Sequence, residues 1–282
     1  MLVVSSAFGA ESNGVSQTVI FAVGDLAECD NAAPLEAPTA RVAQLVKNSI
    51  APILMVGDLA YPRGSKRDFS NCFAPVWGEL KERILSVPGN HEYETAGAKA
   101  YFDYFSDGTS PEGLGYFSTQ IGQWQVIGLN SNIDAGAESV QERWLKQVLA
   151  TRPNKCTVAF WHHPRFSSGH HGDTPSMGVI WQDLYDAAVD IVIVGHDHDY
   201  ERFAPQGPMG ENDPDRGIRE FVVGTGGATL RPFEQIKPNS ELRDRDHFGV
   251  LKLTLGDTGY AWEFVPVNGD SFRDHGESLC HK

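Results

Sequence analysis

Two histidines two residues apart, His196 and His198, follow directly on the run Asp190-Ile191-Val192-Ile193-Val194-Gly195. Imidazoles at i and i+2 of extended backbone project to one side, so both can reach one point just past a strand end, where they could share a metal ion. Alone, His-Asp-His after an apolar run reads equally well as a solvated polar loop. The same form recurs, however: Gly24-Asp25 after Thr18 to Val23, Gly57-Asp58 after Ile53 to Val56, Gly89-Asn90-His91 after Ile84 to Val87, and Trp161-His162-His163 after Cys156 to Phe160. Gly-Asp is a common turn, Asn-His can cap a helix and His-His-Pro can be a plain loop. Five such ends, each directly after an apolar strand, point instead to one shared site. Its donors are carboxylate, amide and imidazole, a mixture that suits two hard or borderline transition-metal ions better than a closed thiolate site.

The elements needed to hold these residues are legible around them. Four consecutive branched aliphatics at 191–194 predict a strand buried on both faces. Between the first two strands, Thr39 to Asn48 carries Val42, Leu45 and Val46 at helical spacing, which makes a βαβ unit with parallel strands. Ala74 to Arg83 reads as a short helix after Pro75, Trp124 to Leu129 as a strand ending in Asn130-Ser131, and Ser139 to Leu149 as a helix with Val140, Trp144, Leu145 and Val148 inward. A further helix, Ser176 to Ala188, delivers the chain to the 191–194 strand. The expected arrangement is α/β, with the chemistry at the C-terminal edge of one parallel sheet. In the last third, Val250 to Leu255 and Tyr260 to Val267 flank Gly256-Asp257-Thr258-Gly259, a hairpin signal that predicts antiparallel strands in a second sheet packed on the first.

The 282 residues could make one large α/β domain or two small ones, and no repeat or low-complexity tract argues for division. A net charge of −14 argues against a nucleic-acid or membrane-surface binder. An anionic substrate would then need a local positive charge, for which bound metal ions are the obvious source. No stretch approaches the roughly 18 apolar residues of a membrane span. Residues 1–17 read as a disordered start or a signal-peptide remnant, without a basic n-region or a full h-region, and residues 18–282 as a single catalytic domain. Cys29, Cys72, Cys156 and Cys280 include no C-x-x-C pair. They fit two disulfides in a secreted or periplasmic protein, or buried free thiols. Cys29 and Cys72 both lie in loops following strands that end on one edge, which motivates their pairing and leaves Cys156 with Cys280.

Taken together, Gly24-Asp25, Gly57-Asp58-x-x-Tyr61, Gly89-Asn90-His91-Glu92, the strand-end His162 and Gly195-His196-x-His198 resemble the calcineurin-like metallophosphoesterases, in particular their purple acid phosphatase branch. Tyr116-Phe117-Ser118, Asn130-Ser131, His163-Pro164-Arg165-Phe166-Ser167-Ser168 and Phe221 to Gly227 are similar to secreted bacterial members. The resemblance implies a four-layer α/β/β/α sandwich of two mixed sheets with the site at strand C-terminal ends. It implies that Asp25, Asp58, Tyr61 and His198 hold a first metal, that Asp58 bridges, and that Asn90, His162 and His196 complete a second. Where the wider superfamily has a histidine two residues after the first aspartate, this chain has Ala27, and Tyr61 can supply the missing ligand. A phenolate is a hard anionic donor, so iron(III) is expected at the Tyr61 site, with zinc, manganese or iron(II) at the second. Plant members place a β-sandwich ahead of the first catalytic strand, and that wall of the pocket is what the resemblance does not carry over.

Two cations roughly 3.5 to 4 Å apart acidify a water and stabilise in-line displacement at phosphorus. The expected reaction is therefore hydrolysis of phosphate monoesters of small molecules by a metal-bound hydroxide, with His91, next to Asn90, as general acid. His163 and Arg165 are expected to bind phosphate oxygens together with Asn90 and His91. His171, beside His170 in a Ser-Ser-Gly-His-His-Gly loop, is expected to line the pocket or to be solvated. Glu201 and Arg202 are expected to orient His196 or His198. A phosphodiesterase acting on small diesters or nucleotides is the rival enzyme, and a metal-free protein-binding scaffold the rival from another class. A scaffold would tolerate gaps in the ligand set, and all seven positions are filled.

Overall fold

The computed structural model of the chain describes residues 17–28, 33–105, 113–151, 156–267 and 271–281. Among them, strands form two sheets. The first holds β1 (Thr18–Val23), β2 (Ile53–Met55), β3 (Ile84–Ser86), β11 (Gly249–Leu255), β12 (Gly259–Pro266) and β13 (His275–Leu279), in the order β13-β12-β11-β1-β2-β3. The second holds β4 (Phe117–Ile121), β5 (Trp124–Gly128), β6 (Cys156–Phe160), β7 (Ile191–Val194), β8 (Tyr200–Phe203), β9 (Arg219–Val223) and β10 (Ser240–Asp244), in the order β10-β8-β9-β7-β6-β5-β4.

Each central strand is apolar throughout because both its faces are covered. In β1, Ile20 and Ala22 face the second sheet, whereas Phe21 and Val23 face the helical layer that includes Pro38–Lys47. In β7, Ile191 and Ile193 enter the inter-sheet core, and Val192 and Val194 pack with Leu145, Ile180, Trp181 and Leu184 of the helices Val140–Ala150 and Gly178–Asp186. Helix, sheet, sheet and helix are therefore stacked in four layers, as the resemblance implies.

The expectation of a single parallel sheet carrying all five ligand-bearing ends is corrected. Asp25, Asp58 and Asn90 follow β1, β2 and β3, which pair in parallel in the first sheet. His162 and His196 follow β6 and β7, which pair in parallel in the second. Apolar runs alone do not say which strands pair, so the sequence pattern could not separate them. The hairpin of the last third is likewise not a second sheet of its own: β11 runs antiparallel to β1 and extends the first sheet, while β9 joins β7 in parallel in the second. The β4 strand, paired antiparallel with β5, carries the exposed polar residues Ser118, Thr119 and Gln120 and so lacks the apolar run that marks the other strands.

Two helices also differ from expectation. The segment expected at 74–83 begins at Lys66 and passes through a wide turn at Phe69–Phe73 before Ala74–Trp77 and a tight turn at Gly78–Arg83. Pro75 has no N–H to return to the carbonyl four residues back, and the helix widens just ahead of it. In Val140–Ala150, Val140 is 52% exposed, while Gln141 is buried because its side chain bonds both the N–H and the carbonyl of Asn130.

Cys156, opening β6, and Cys280, just after β13, form a disulfide that staples the two sheets across 124 residues of sequence. Cys72 is also disulfide-bonded, whereas its expected partner Cys29 lies outside the described residues. So do residues 1–16, the bulk of the expected start or signal remnant. No helix among the described residues is long and apolar enough to cross a membrane. Closing so long a loop should stabilise the fold by roughly 2 to 4 kcal/mol. Replacing both Cys156 and Cys280 by alanine should therefore lower the thermal midpoint by several degrees in differential scanning calorimetry, and an unchanged midpoint would show that the staple is slack.

Candidate metal centre

The ends of β1 and β2 turn in the same strained way. Asp25, Asp58 and also His196 after β7 occupy left-handed backbone, with φ of 59°, 51° and 69°. Such values are unusual outside glycine and mark positions that the surrounding structure must hold. The turns also require close approach: a Cβ on Gly89 would run into the Asp58 carboxylate, and one on Gly195 into that of Asp25.

What these turns deliver is a dense set of donor atoms. Tyr61 Oη lies 3.1 Å from Asp25 Oδ1, 3.1 Å from His198 Nε2 and 3.2 Å from Asp58 Oδ2. His162 Nε2 lies 3.0 Å from Asn90 Oδ1 and 3.2 Å from Asp58 Oδ2. His198 Nε2 is 3.4 Å from Asp25 Oδ1. Two groups thus form, Tyr61 with Asp25 and His198, and Asn90 with His162, and one oxygen of Asp58 is equally close to both. Spacings of roughly 3 to 3.4 Å are those between neighbouring ligands on a cation bound at about 2.0 to 2.1 Å. The His196 ring joins at 5.0 Å from that of His162 and 4.4 Å from that of His163.

The far sides of the rings are fixed as ligation requires. His162 Nδ1 donates to the Val56 carbonyl at 2.8 Å and His198 Nδ1 to the Thr229 carbonyl at 2.9 Å, which leaves both Nε2 atoms to face the cluster. The second oxygens of the carboxylates are bound too: Asp25 Oδ2 accepts the His196 N–H at 3.0 Å and Asp58 Oδ1 the His91 N–H at 2.9 Å.

Charge makes the same point. Burial would raise the Asp58 carboxyl, but His162 and His91 override it and hold it below the usual carboxylate range. Burial would lower the His162 imidazole, yet Asp58 beside it raises it to about 9. Two buried carboxylates create a demand for positive charge here. Burial and the neighbouring His162 press His163 down to about 3, and the same crowding lowers His196, so both rings are neutral near pH 7 and offer lone pairs. Burial, followed by Asp58 and Asp25, raises the Tyr61 phenol, so only a bound cation would let it act as phenolate. The donor types, spacing and charge fit metal ions.

Of the other expected residues, His91 packs against Tyr61 with tilted rings whose centroids are 4.3 Å apart and keeps its Nε2 3.8 Å from Asp58 Oδ2, at the partly exposed rim. His163 Nδ1 lies 2.8 Å from Ser131 Oγ, and His171 stacks on His196 at 4.1 Å. His170 pairs outward with Glu234. Arg165 is not brought to the cluster: its guanidinium donates to the Pro208 carbonyl and covers Phe166 at 4.4 Å. Nor do Glu201 and Arg202 orient the histidines. Glu201 accepts the Ser168 N–H and the Ser240 hydroxyl, and Arg202 pairs with Asp274 and Glu241. On β8 successive side chains alternate between faces, which puts Arg202 on the face opposite Glu201, over the Trp262 ring.

Two carboxylates behind the cluster were not assigned roles from sequence. Glu92, fully buried, accepts the N–H groups of Gly89, Asp58, Leu59 and Ala60 at 2.7 to 3.3 Å and so ties the β3 turn to the β2 turn. Its carboxyl is pushed up to about 7 by burial and by Asp58, although these donors oppose the rise. Its position three residues after Gly89 is capping-box spacing, a signal present in the sequence. Asp197, between the two histidines, accepts the Ser167 hydroxyl and the N–H groups of His171 and Gly172, and thereby pins the loop that carries His171.

The fold and this site define a class, the two-metal phosphoesterases: a family model described as calcineurin-like phosphoesterase matches residues 18–200. The chain belongs to that family, whose membership implies two metal ions and a phosphate ester substrate. Its relatives include purple acid phosphatases. It is 28% identical to purple acid phosphatase 15 of Arabidopsis thaliana over 65% of this chain and 40% of the relative. It is 28% identical to purple acid phosphatase 22 of the same plant over 88% of this chain and 60% of the relative. Purple acid phosphatase PPD1 from yellow lupin, Lupinus luteus, superposes with a TM-score of 0.75 over 95% of this chain and 54% of the lupin chain, at 18% identity, a likeness of fold. The chain thus spans about half the length of these relatives.

Because Glu92 satisfies four backbone donors beside Asp58, Glu92→Ala should strip metal as well as destabilise. Metal analysis after dialysis should show affinity reduced about 10 to 100-fold, and unchanged metal content in a folded variant would reduce Glu92 to a structural cap.

Proposed function

We propose that the chain is a dinuclear-metal phosphatase that hydrolyses phosphate monoesters. The single observation that carries this reading is the placement of Asp58 Oδ2 at 3.2 Å from both Tyr61 Oη and His162 Nε2, one carboxylate oxygen shared between two donor sets. Asp25, Tyr61 and His198 would hold one ion with Asp58, and Asn90, His162 and His196 the other. Iron(III) is assigned to the Tyr61 side, with zinc, manganese or iron(II) opposite. When bound, the two cations would acidify a water and hold the phosphate oxygens.

The remaining work falls to the chain. His91 stands at the rim beside Asp58 with Nε2 toward the cluster, where it can hand a proton to a departing alkoxide. His163 is held by Ser131 and His171 by its stacking on His196, so neutral imidazoles line the place a phosphate would take. Residues 18–282 act as one catalytic unit, since both sheets contribute ligands. The Cys156–Cys280 bridge supports an exported location, secreted or periplasmic.

Tyrosinate-to-iron charge transfer should colour the purified protein pink to violet, and Tyr61→Phe should abolish the visible absorption band. A colourless, fully active zinc or manganese enzyme would remove iron from the assignment. Separately, His91→Ala should retain metal and lower the rate about 10² to 10⁴-fold, more for alkyl than for activated aryl phosphates. Equal losses on both would displace His91 as the acid, and faster cleavage of diesters than monoesters by the wild type would replace the substrate class.

A further inference from the structure

Ser131 and His163 are joined by two hydrogen bonds. The His163 N–H donates to Ser131 Oγ at 3.0 Å, and the same oxygen lies 2.8 Å from His163 Nδ1. Both residues are also held from behind. On the histidine side, Nε1 of the buried Trp161 donates to the His163 carbonyl at 2.7 Å. On the serine side, Gln141 bonds the N–H and the carbonyl of Asn130, and the Asn130 amide donates to Tyr93 Oη and the Leu114 carbonyl, both at 2.8 Å. Asn132, next in the chain, donates to the Pro88 carbonyl at 2.9 Å. The hydroxyl and the ring therefore meet between two anchored stretches of backbone, one from each side of the pair.

A hydroxyl has one proton to give and two lone pairs to share. One lone pair of Ser131 takes the His163 N–H. If Nδ1 carried a proton as well, two N–H donors would converge on one oxygen, and the hydroxyl proton would have no acceptor among the described residues. With the hydroxyl donating to Nδ1, every group in the pair is satisfied. The ring, neutral near pH 7, then carries its single proton on Nε2. The candidate ligands His162 and His198 are the reverse case, because their Nδ1 atoms face carbonyls, which only accept, and their Nε2 atoms are left bare. His163 stands among such rings, 4.9 Å from that of His162 and 4.4 Å from that of His196. Of these rings it is His163 whose partner at Nδ1 is a group able to donate.

Resting on the phosphatase reading above, we propose that Ser131 is a positioning residue that fixes the tautomer of His163, so that the ring presents Nε2–H as a donor to an oxygen of the bound phosphate. The proton stays on Nε2 throughout, and its transfer to a leaving group is left to His91. A lone pair at Nε2 would instead make the ring one more metal ligand, so the direction of a single hydroxyl proton separates a substrate-binding histidine from a metal-binding one.

The test uses the zinc-loaded protein. Long-range proton–nitrogen NMR with labelled histidine should show His163 protonated at Nε2 and bare at Nδ1, and the two forms should mix in Ser131→Ala. A proton on Nδ1 in the wild type would overturn the proposal. Calorimetric binding of inorganic phosphate should weaken about 3 to 10-fold in Ser131→Ala, part of the worth of a hydrogen bond to a charged group, and Ser131→Thr, which keeps the hydroxyl, should recover it. In His163→Gln the amide supplies a fixed donor in place of Nε2–H, so adding Ser131→Ala to that variant should cost less than about twofold. A full loss in both backgrounds would show that Ser131 acts other than through the ring, and zinc lost from Ser131→Ala would make His163 a ligand; either result overturns the proposal. The predicted tautomer and phosphate affinities in a wild type that cleaves no phosphate monoester would uphold the Ser131 assignment and overturn the phosphatase reading instead.

Discussion

The Asp58 carboxylate, buried where the strand ends of two sheets meet, is the interaction on which the rest of the site depends. One of its oxygens faces Tyr61 and His162 at the same distance, and the other is fixed by the His91 N–H. A buried negative charge is costly unless paired. Asp25 lies beside it, so the cluster favours positive charge at its centre. That demand accounts for the raised His162 imidazole and for the suitability of the centre for cations.

Holding the carboxylates in place requires backbone that would not adopt these conformations by itself. Three donor-bearing residues sit in left-handed backbone, and the glycines beside them allow chain and carboxylate to approach within contact. Glu92 accounts for the tolerance of this strain on the first sheet, because its carboxylate gathers the amides of the β2 and β3 turns. On the second sheet Asp197 gathers the amides of the loop that follows β6. Each sheet thus has its own buried carboxylate behind the donors, and the rigid layers fix the two halves relative to each other.

The histidines divide by depth. His162 and His198 are buried and tied through Nδ1 to backbone carbonyls, which suits ligation. His91, His163 and His171 line the approach and are tied to Pro62, Ser131 and Arg231, which suits groups that meet a substrate. Identical side chains acquire different chemistry because what bonds the second nitrogen, and how much water reaches the ring, differ at each place.

The amino-acid sequence by itself determined the doubly buried strands and the types of donor at their ends. Apolar runs ending in Gly-Asp, Asn-His or His-His are local patterns, and the physics that makes a doubly buried strand and a sharp turn acts over a few neighbouring residues. Asp25, Asp58, Asn90, His162, His196 and His198 were legible as candidate donors for that reason, and Tyr61 through the family resemblance. The tertiary structure decided which sheet each strand joined, and so placed Asp58 between donors from both. It also turned Arg165 toward Phe166 and Arg202 toward Asp274, and brought Arg231 to His171. Long flexible side chains take partners from distant parts of the chain, and strand pairing is a choice among apolar surfaces of nearly equal merit. Neither is specified by local spacing, so both were settled only when the two sheets packed together.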